Sequence, residues 1–286
     1  MKKFWSVFLI IFASYLVQTE VSAQTVYQII RVATAKPSPK LIIQNQTAIQ
    51  NFITFYQGGG RISMESGLAN STLHKKLIRR IFREEGVPES LSAISQTLWM
   101  GSSDSEGLWL FSDKTAKKYN LRKTDLLDER LSFEKATRAT AQHLKSLYNK
   151  YKNWELVLAA YYSDEKEVDS AIKRAKVKNF WKITKYLSEN TKLFVPNVFA
   201  TIQIAENPKK YSFEDIDFLS PIEYESVRIP PSISLEMIAK FSDDSIENTK
   251  SLNPELISTK TPTVPYIIRV PMGKGKIFAE KIRNSK

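Results

Sequence analysis

Apolar positions recur at helical spacing along most of the chain. Ile49, Phe52, Ile53 and Tyr56 mark a helix over 46–57, which Gly58-Gly59-Gly60 should stop. A phosphate loop is the weaker reading of those glycines, since no Lys-Ser or Lys-Thr pair follows them. Leu73, Leu77, Ile78, Ile81 and Phe82 predict a helix with Asn70-Ser71-Thr72 as its N-cap. Its other face is basic: Lys75, Lys76, Arg79, Arg80 and Arg83. Gly86 ends that helix and Pro88 opens the next, which runs to about Leu98. Ser112 should cap a short helix over 113–119. A long helix over 131–151 carries Phe133, Ala136, Leu144, Leu147, Tyr148 and Tyr151 inward. Residues 154–162, Trp-Glu-Leu-Val-Leu-Ala-Ala-Tyr-Tyr, are apolar nearly all round and predict a buried central helix. Helices over 166–175 and 191–205 follow.

The pattern changes after Tyr211. Residues 212–232 are richer in Pro and Glu, with a break at Pro230-Pro231. The next stretch reads strand (224–229), helix (233–241), helix (243–252), strand (266–270), then a basic helical tail from Lys274. The fold class is therefore mainly α, a helical domain over 46–212 followed by a small α/β unit over 213–286.

Composition narrows the function. The 286 residues have a net charge of +12, 42% hydrophobic content, no cysteine, and two histidines, His74 and His143. Disulfides, thiolate metal sites and a Cys nucleophile are excluded. Both histidines lie in Lys-rich helical contexts and read as solvated, which leaves little for a zinc site or a Ser-His-Asp triad. Residues 1–23 have the form of a signal peptide, with Lys2 and Lys3, an apolar run from Phe4 to Val17, and Val21-Ser22-Ala23 for cleavage. Residues 24–45 read as a linker around Lys36-Pro37-Ser38-Pro39-Lys40. Export argues against nucleic acid as partner and directs the positive charge to the cell envelope, with membrane association left open.

The stretch 86–112 carries the sharpest motifs. Gly86-Val87-Pro88-Glu89 leads into a helix with Gln96-Thr97. Gly107-Leu108-Trp109-Leu110 follows a loop. Further on come Thr115-Ala116, Tyr119-Asn120-Leu121, Asp128-Glu129-Arg130, Ala159-Ala160-Tyr161-Tyr162, Phe194-Val195-Pro196, Ala200, Ile204, Pro208 and Tyr211. In order and spacing these resemble the lytic transglycosylase family, of the membrane-bound D type, from about Ile49 to Tyr211. That resemblance implies a lysozyme-like domain acting on peptidoglycan glycan strands, without cofactor or metal. The strand–helix–helix–strand order of the 213–286 unit resembles a LysM module, although the Gly-Asp usual after the first strand of that module is absent.

The resemblance implies a single Glu, followed by Ser, as acid and then base; here Gln96 and Thr97 stand at those positions. A Gln amide cannot deliver a proton to a glycosidic oxygen. Leu110 stands for a cleft Gln, Tyr162 for an Asn, Asp164 for a Gly and Phe194 for a Tyr. Glu106, beside Gly107, is the candidate replacement acid. Asp104 lies on the loop, and Glu89 is two turns from Gln96, about 10 Å away. Trp109, Tyr161 and Tyr162 offer ring faces to sugars, with Tyr161 the more core-like. The leading reading is an exported protein that binds peptidoglycan with its chemistry lost. The alternatives are cleavage of the MurNAc–GlcNAc bond by Glu106, and a structural envelope protein without glycan affinity. Envelope proteins are the further candidate partners.

Overall fold

The computed structural model describes residues 41–43, 46–101 and 107–285. The segment expected to be a signal peptide, most of the expected linker, Asp104 and Glu106 lie outside the described residues.

Helix α1 (Thr47–Gln57) buries Ile49, Ile53 and Tyr56 and ends where the Gly58 N–H bonds the carbonyls of Thr54 and Phe55. Helix α2 (Arg61–Glu85) is 25 residues long and runs straight through Asn70-Ser71-Thr72. The expected N-cap is absent for a local reason. Asn70 donates to Ser66 O (2.8 Å), Ser71 to Leu68 O (2.7 Å) and Thr72 to Ala69 O (3.0 Å). Each polar side chain is thus satisfied against its own helix and need not break it. Gly86, with φ of 74°, terminates α2 in the left-handed conformation. One 3₁₀ turn (Glu89–Ser92) then feeds α3 (Ala93–Gly101).

Ser112 caps α4 (Asp113–Lys118) as expected, its side chain accepting from the Thr115 N–H. Helix α5 (Phe133–Tyr151) is tied to α2 by Arg138, which donates to Glu84 and Glu85, each at 2.9 Å. Asn153 caps α6 (Trp154–Tyr162), where Leu156, Val157, Leu158 and Ala159 are fully buried, as an all-round apolar helix requires. Asp164 caps α7 (Glu165–Ala175), and Asn179 caps the short α8 (Phe180–Ile183), which the apolar pattern did not predict. Helix α9 (Glu189–Glu206) closes the domain against α1, α3 and α6. The helical core extends past 212, since Phe213 is buried in it under the Arg61 guanidinium.

The second unit has the expected order. Strand β1 (Tyr224–Ile229) pairs antiparallel with β2 (Tyr266–Pro271), Ser226 opposite Arg269 and Arg228 opposite Ile267. Between and after them come α10 (Leu235–Ser242), α11 (Ile246–Leu252) and α12 (Gly275–Asn284). Alternation sends Ile229, Tyr266, Ile268 and Val270 into this unit's own core with Leu235, Ile238 and Phe278. The opposite face, with Ser226, Arg228, Ile267 and Arg269, turns toward the helical domain.

The two units are joined tightly. Leu127, from the loop before α5, is buried in the second core. The Asp128 N–H bonds Glu255 O at 2.8 Å. The connecting chain bonds α2 through Leu219 N–H to Ala69 O and Ile222 N–H to Leu73 O, each at 3.1 Å.

Candidate functional site

A groove runs between the end of α3, the 107–112 turn, the end of α6 and the start of α9. It has two lobes, of about 340 and 230 Å³. Leu98, Leu110 and Tyr162 line both lobes and sit where they meet. The larger lobe adds Trp109, Phe111, Ser112, His143 and Tyr161. The smaller adds Thr97, Asn190, Leu193, Phe194 and Asn197.

The turn that carries Trp109 depends on two left-handed residues. Gly107 has φ of 76°, and a Cβ there would stand 2.6 Å from Arg130 O, so only glycine fits. Leu110 has φ of 48°, an uncommon conformation for a residue with a side chain. This backbone aims Leu110 at the junction of the lobes. Trp109 is 2% exposed, packs tilted against Phe82 with ring centroids 5.7 Å apart, and donates from Nε1 to Thr137 Oγ1 at 3.0 Å. Tyr161 donates to Trp109 O at 3.2 Å, and burial raises its pKa. Trp109 therefore builds the groove wall and offers no free face to a sugar, which corrects the expectation for it, while Tyr161 is partly buried in the same wall. Tyr162 is 40% exposed and stacks on the buried Phe194 ring at 4.4 Å. It is the aromatic surface the groove presents. Thr97 lines the smaller lobe, but its hydroxyl donates back to Ala93 O at 3.0 Å.

Gln96 is the sequence-derived site residue that the structure does not bring to the groove. It is 6% exposed, its Nε2 lies 3.7 Å from Met64 Sδ, and it borders a separate cavity of about 210 Å³ with Lys75, Glu89 and Glu206. Residues two apart on an α-helix point about 200° apart. Leu98 therefore faces the groove where Gln96 faces away. Glu89, beside Gln96, is no free acid: Arg83 and Arg79 bind its carboxylate at 2.7 and 3.0 Å and hold it below the usual range. Glu106 lies outside the described residues.

Among the described lining residues the groove has no carboxylate and no Lys or Arg. Its one imidazole, His143, is not the solvated residue expected. It shares a 3.0 Å hydrogen bond between Nδ1 and the Tyr119 hydroxyl, and burial, with Lys118 nearby, lowers its pKa to about 4. His74 is likewise half-buried, packed on Phe133 at 4.0 Å, and held at about 4 by burial and by Arg269. His143 is thus neutral near pH 7 and cannot act there as a cationic acid. The missed lining residues, Leu98, Asn190, Leu193 and Asn197, are ordinary in type; only the helix phase identifies them. Asn197 is fixed by the Tyr56 hydroxyl, which donates to its Oδ1 at 2.6 Å.

Among the described residues no group of His, Cys, Asp and Glu could hold a metal ion, and no helix is long and apolar enough to cross a membrane.

Residues 65–184 match the family model of the Transglycosylase SLT domain. The membrane-bound lytic murein transglycosylase D of Escherichia coli (strain K12) is 26% identical over 189 residues, which is 64% of this chain and 40% of that protein. The protein of the same name from Escherichia coli O6:H1 matches to the same extent. The chain spans about two-fifths of the length of these relatives. The lytic-transglycosylase resemblance read from the motifs is borne out, and the SLT match covers α2 through α8 and so most of the groove.

Proposed function

We propose that this protein, whose helical domain is of the lytic transglycosylase type, is a peptidoglycan-directed envelope protein that holds a glycan strand without a general acid of its own. The observation that carries this reading is Leu98. It is the α3 side chain that lines both lobes, the place from which a helix-borne acid would reach a bound strand. It is 8% exposed among Trp109, Leu110 and Tyr162. A Glu in that setting would have its pKa raised by desolvation, as a general acid near neutral pH requires. Leucine supplies packing and no proton. Tyr162 offers a stacking face for a sugar ring, and Ser112, Asn190 and Asn197 offer hydrogen bonds to hydroxyls.

The strand–helix–helix–strand order of the C-terminal unit supports a LysM-like reading, with that unit adding glycan affinity. The likeness to proteins named membrane-bound murein transglycosylases supports an exported, envelope location.

The test is digestion of purified sacculi with products read by mass spectrometry, alongside a sacculus pull-down. The unaltered protein should bind and release no anhydromuropeptides. Leu98→Glu should release them, whereas Gln96→Glu, on the far side of α3, should not. Cleavage by the unaltered protein that disappears in Glu106→Gln would replace this reading with an active enzyme. Failure to bind sacculi at all would leave the structural envelope role.

A further inference from the structure

A larger cleft lies between the two units, away from the groove, with a volume of about 680 Å³. One wall is the helical domain from Tyr119 to Gln142; the other is the outer face of the β1–β2 sheet. Its lining holds five cations against three carboxylates, with one of the cations, Arg138, already bound by Glu84 and Glu85. Two of those carboxylates, Glu129 and Glu255, are buried in the floor and already bound. Arg122 and Lys135 share Glu129 (2.8 and 2.6 Å), and Arg269 and the Tyr266 hydroxyl hold Glu255. Arg122 and Lys135 remain half exposed on one wall. Arg228 stands exposed on the other wall, and no ion pair among the described residues engages it. Pro265 and Ile267 form an exposed apolar strip beside it.

We propose that this inter-unit cleft binds a short peptide bearing at least two carboxylates, bridged between Arg122 and Lys135 on the helical wall and Arg228 on the sheet. Resting on the peptidoglycan reading above, the ligand is the acidic peptide branching from the glycan strand. Arg122 already gives its Nε and Nη2 to Glu129 and adds net charge, whereas the Arg228 fork, engaged by no ion pair among the described residues, can match a carboxylate in two parallel bonds that a neutral sugar cannot reciprocate. The apolar strip suits small aliphatic side chains between the charged ends. A cavity of this size falls in the range that encloses a ligand of a few residues.

The experiment titrates the full-length protein by calorimetry with a synthetic tetrapeptide carrying two free carboxylates. The same peptide with its carboxyls amidated is the control, and inorganic polyphosphate is the competitor. The acidic peptide should bind, lose affinity as salt rises, and bind about tenfold more weakly to Arg228→Glu. The amidated peptide should not bind. Arg228 is exposed, so the variant should keep the thermal transition of the parent. Equal binding of both peptides, no binding of either, or no effect of Arg228→Glu would overturn the proposal. So would polyphosphate binding far more tightly than the peptide, which would make the cleft a phosphate-polymer site. Binding of peptide-free glycan strands, measured on the same samples, reads the groove separately; its loss would sink the glycan-holding reading without touching the cleft.

Discussion

The groove and the inter-unit cleft are built from opposite materials. Around the groove, the described lining residues are aromatic, aliphatic or neutral polar. Around the cleft, eight of eighteen lining residues are Lys, Arg or Glu. The strongly basic composition of the chain is therefore no guide to its groove, which would have to recognise a strand by stacking and hydroxyl contacts. The charged lining belongs to the joint between the units. Overall charge predicts the sign of a partner but not which surface meets it.

The contrast can be broken most severely by putting a carboxylate into the groove. Leu98→Glu should raise sacculus cleavage by about 10²–10⁴-fold over the unaltered protein, the usual worth of a positioned general acid, measured by release of anhydromuropeptides. Next in size is removal of a charge from the cleft floor. Arg269→Met would strand the buried Glu255 and should cost about 3–5 kcal/mol of stability by denaturant unfolding. Acid should erode both regions together. His143 beside the groove and His74 beside the cleft are each held near 4, below their ordinary 6.5. The unfolded chain takes up their protons between those values while the folded protein does not. Stability should therefore be full above pH 6.5 and fall as pH drops toward 4, by roughly 2–3 kcal/mol per histidine. His143→Gln should flatten that fall in a pH series of thermal melts. The smallest effect sharpens the contrast: Tyr162→Ala should weaken glycan-strand binding by about fivefold to tenfold in a pull-down and leave Arg228-dependent peptide binding unchanged.

Much of this was legible in the residues. The all-round apolar run at 154–162, the Ser112 cap and the strand–helix–helix–strand order are local signals, and each appears where its pattern placed it. Thr97, Trp109, Leu110, Tyr161, Tyr162 and Phe194 do converge on one groove. The phase of α3 was not legible. Gln96 is placed by matching a motif position, and a match displaced by two residues turns the assignment to the opposite side of the helix, about 200° away. Only the folded helix shows that Leu98, and not Gln96, lines the groove. The burial of Trp109 also escaped, because its hydrogen-bond partner, Thr137, is 28 residues away. The cleft was invisible for a related reason: Arg228 and Lys135 meet across it only because the C-terminal unit docks on the helical domain.

The place of Leu127 bears on modularity. By sequence it belongs to the helical domain, yet it fills the core of the other unit, while Phe213, past the apparent boundary, fills the core of the first. A cut after residue 212 would leave a void in one fragment and an exposed leucine on the other. Neither half is a detachable cassette: transplanting the C-terminal unit onto another protein would require carrying the 122–130 loop with it.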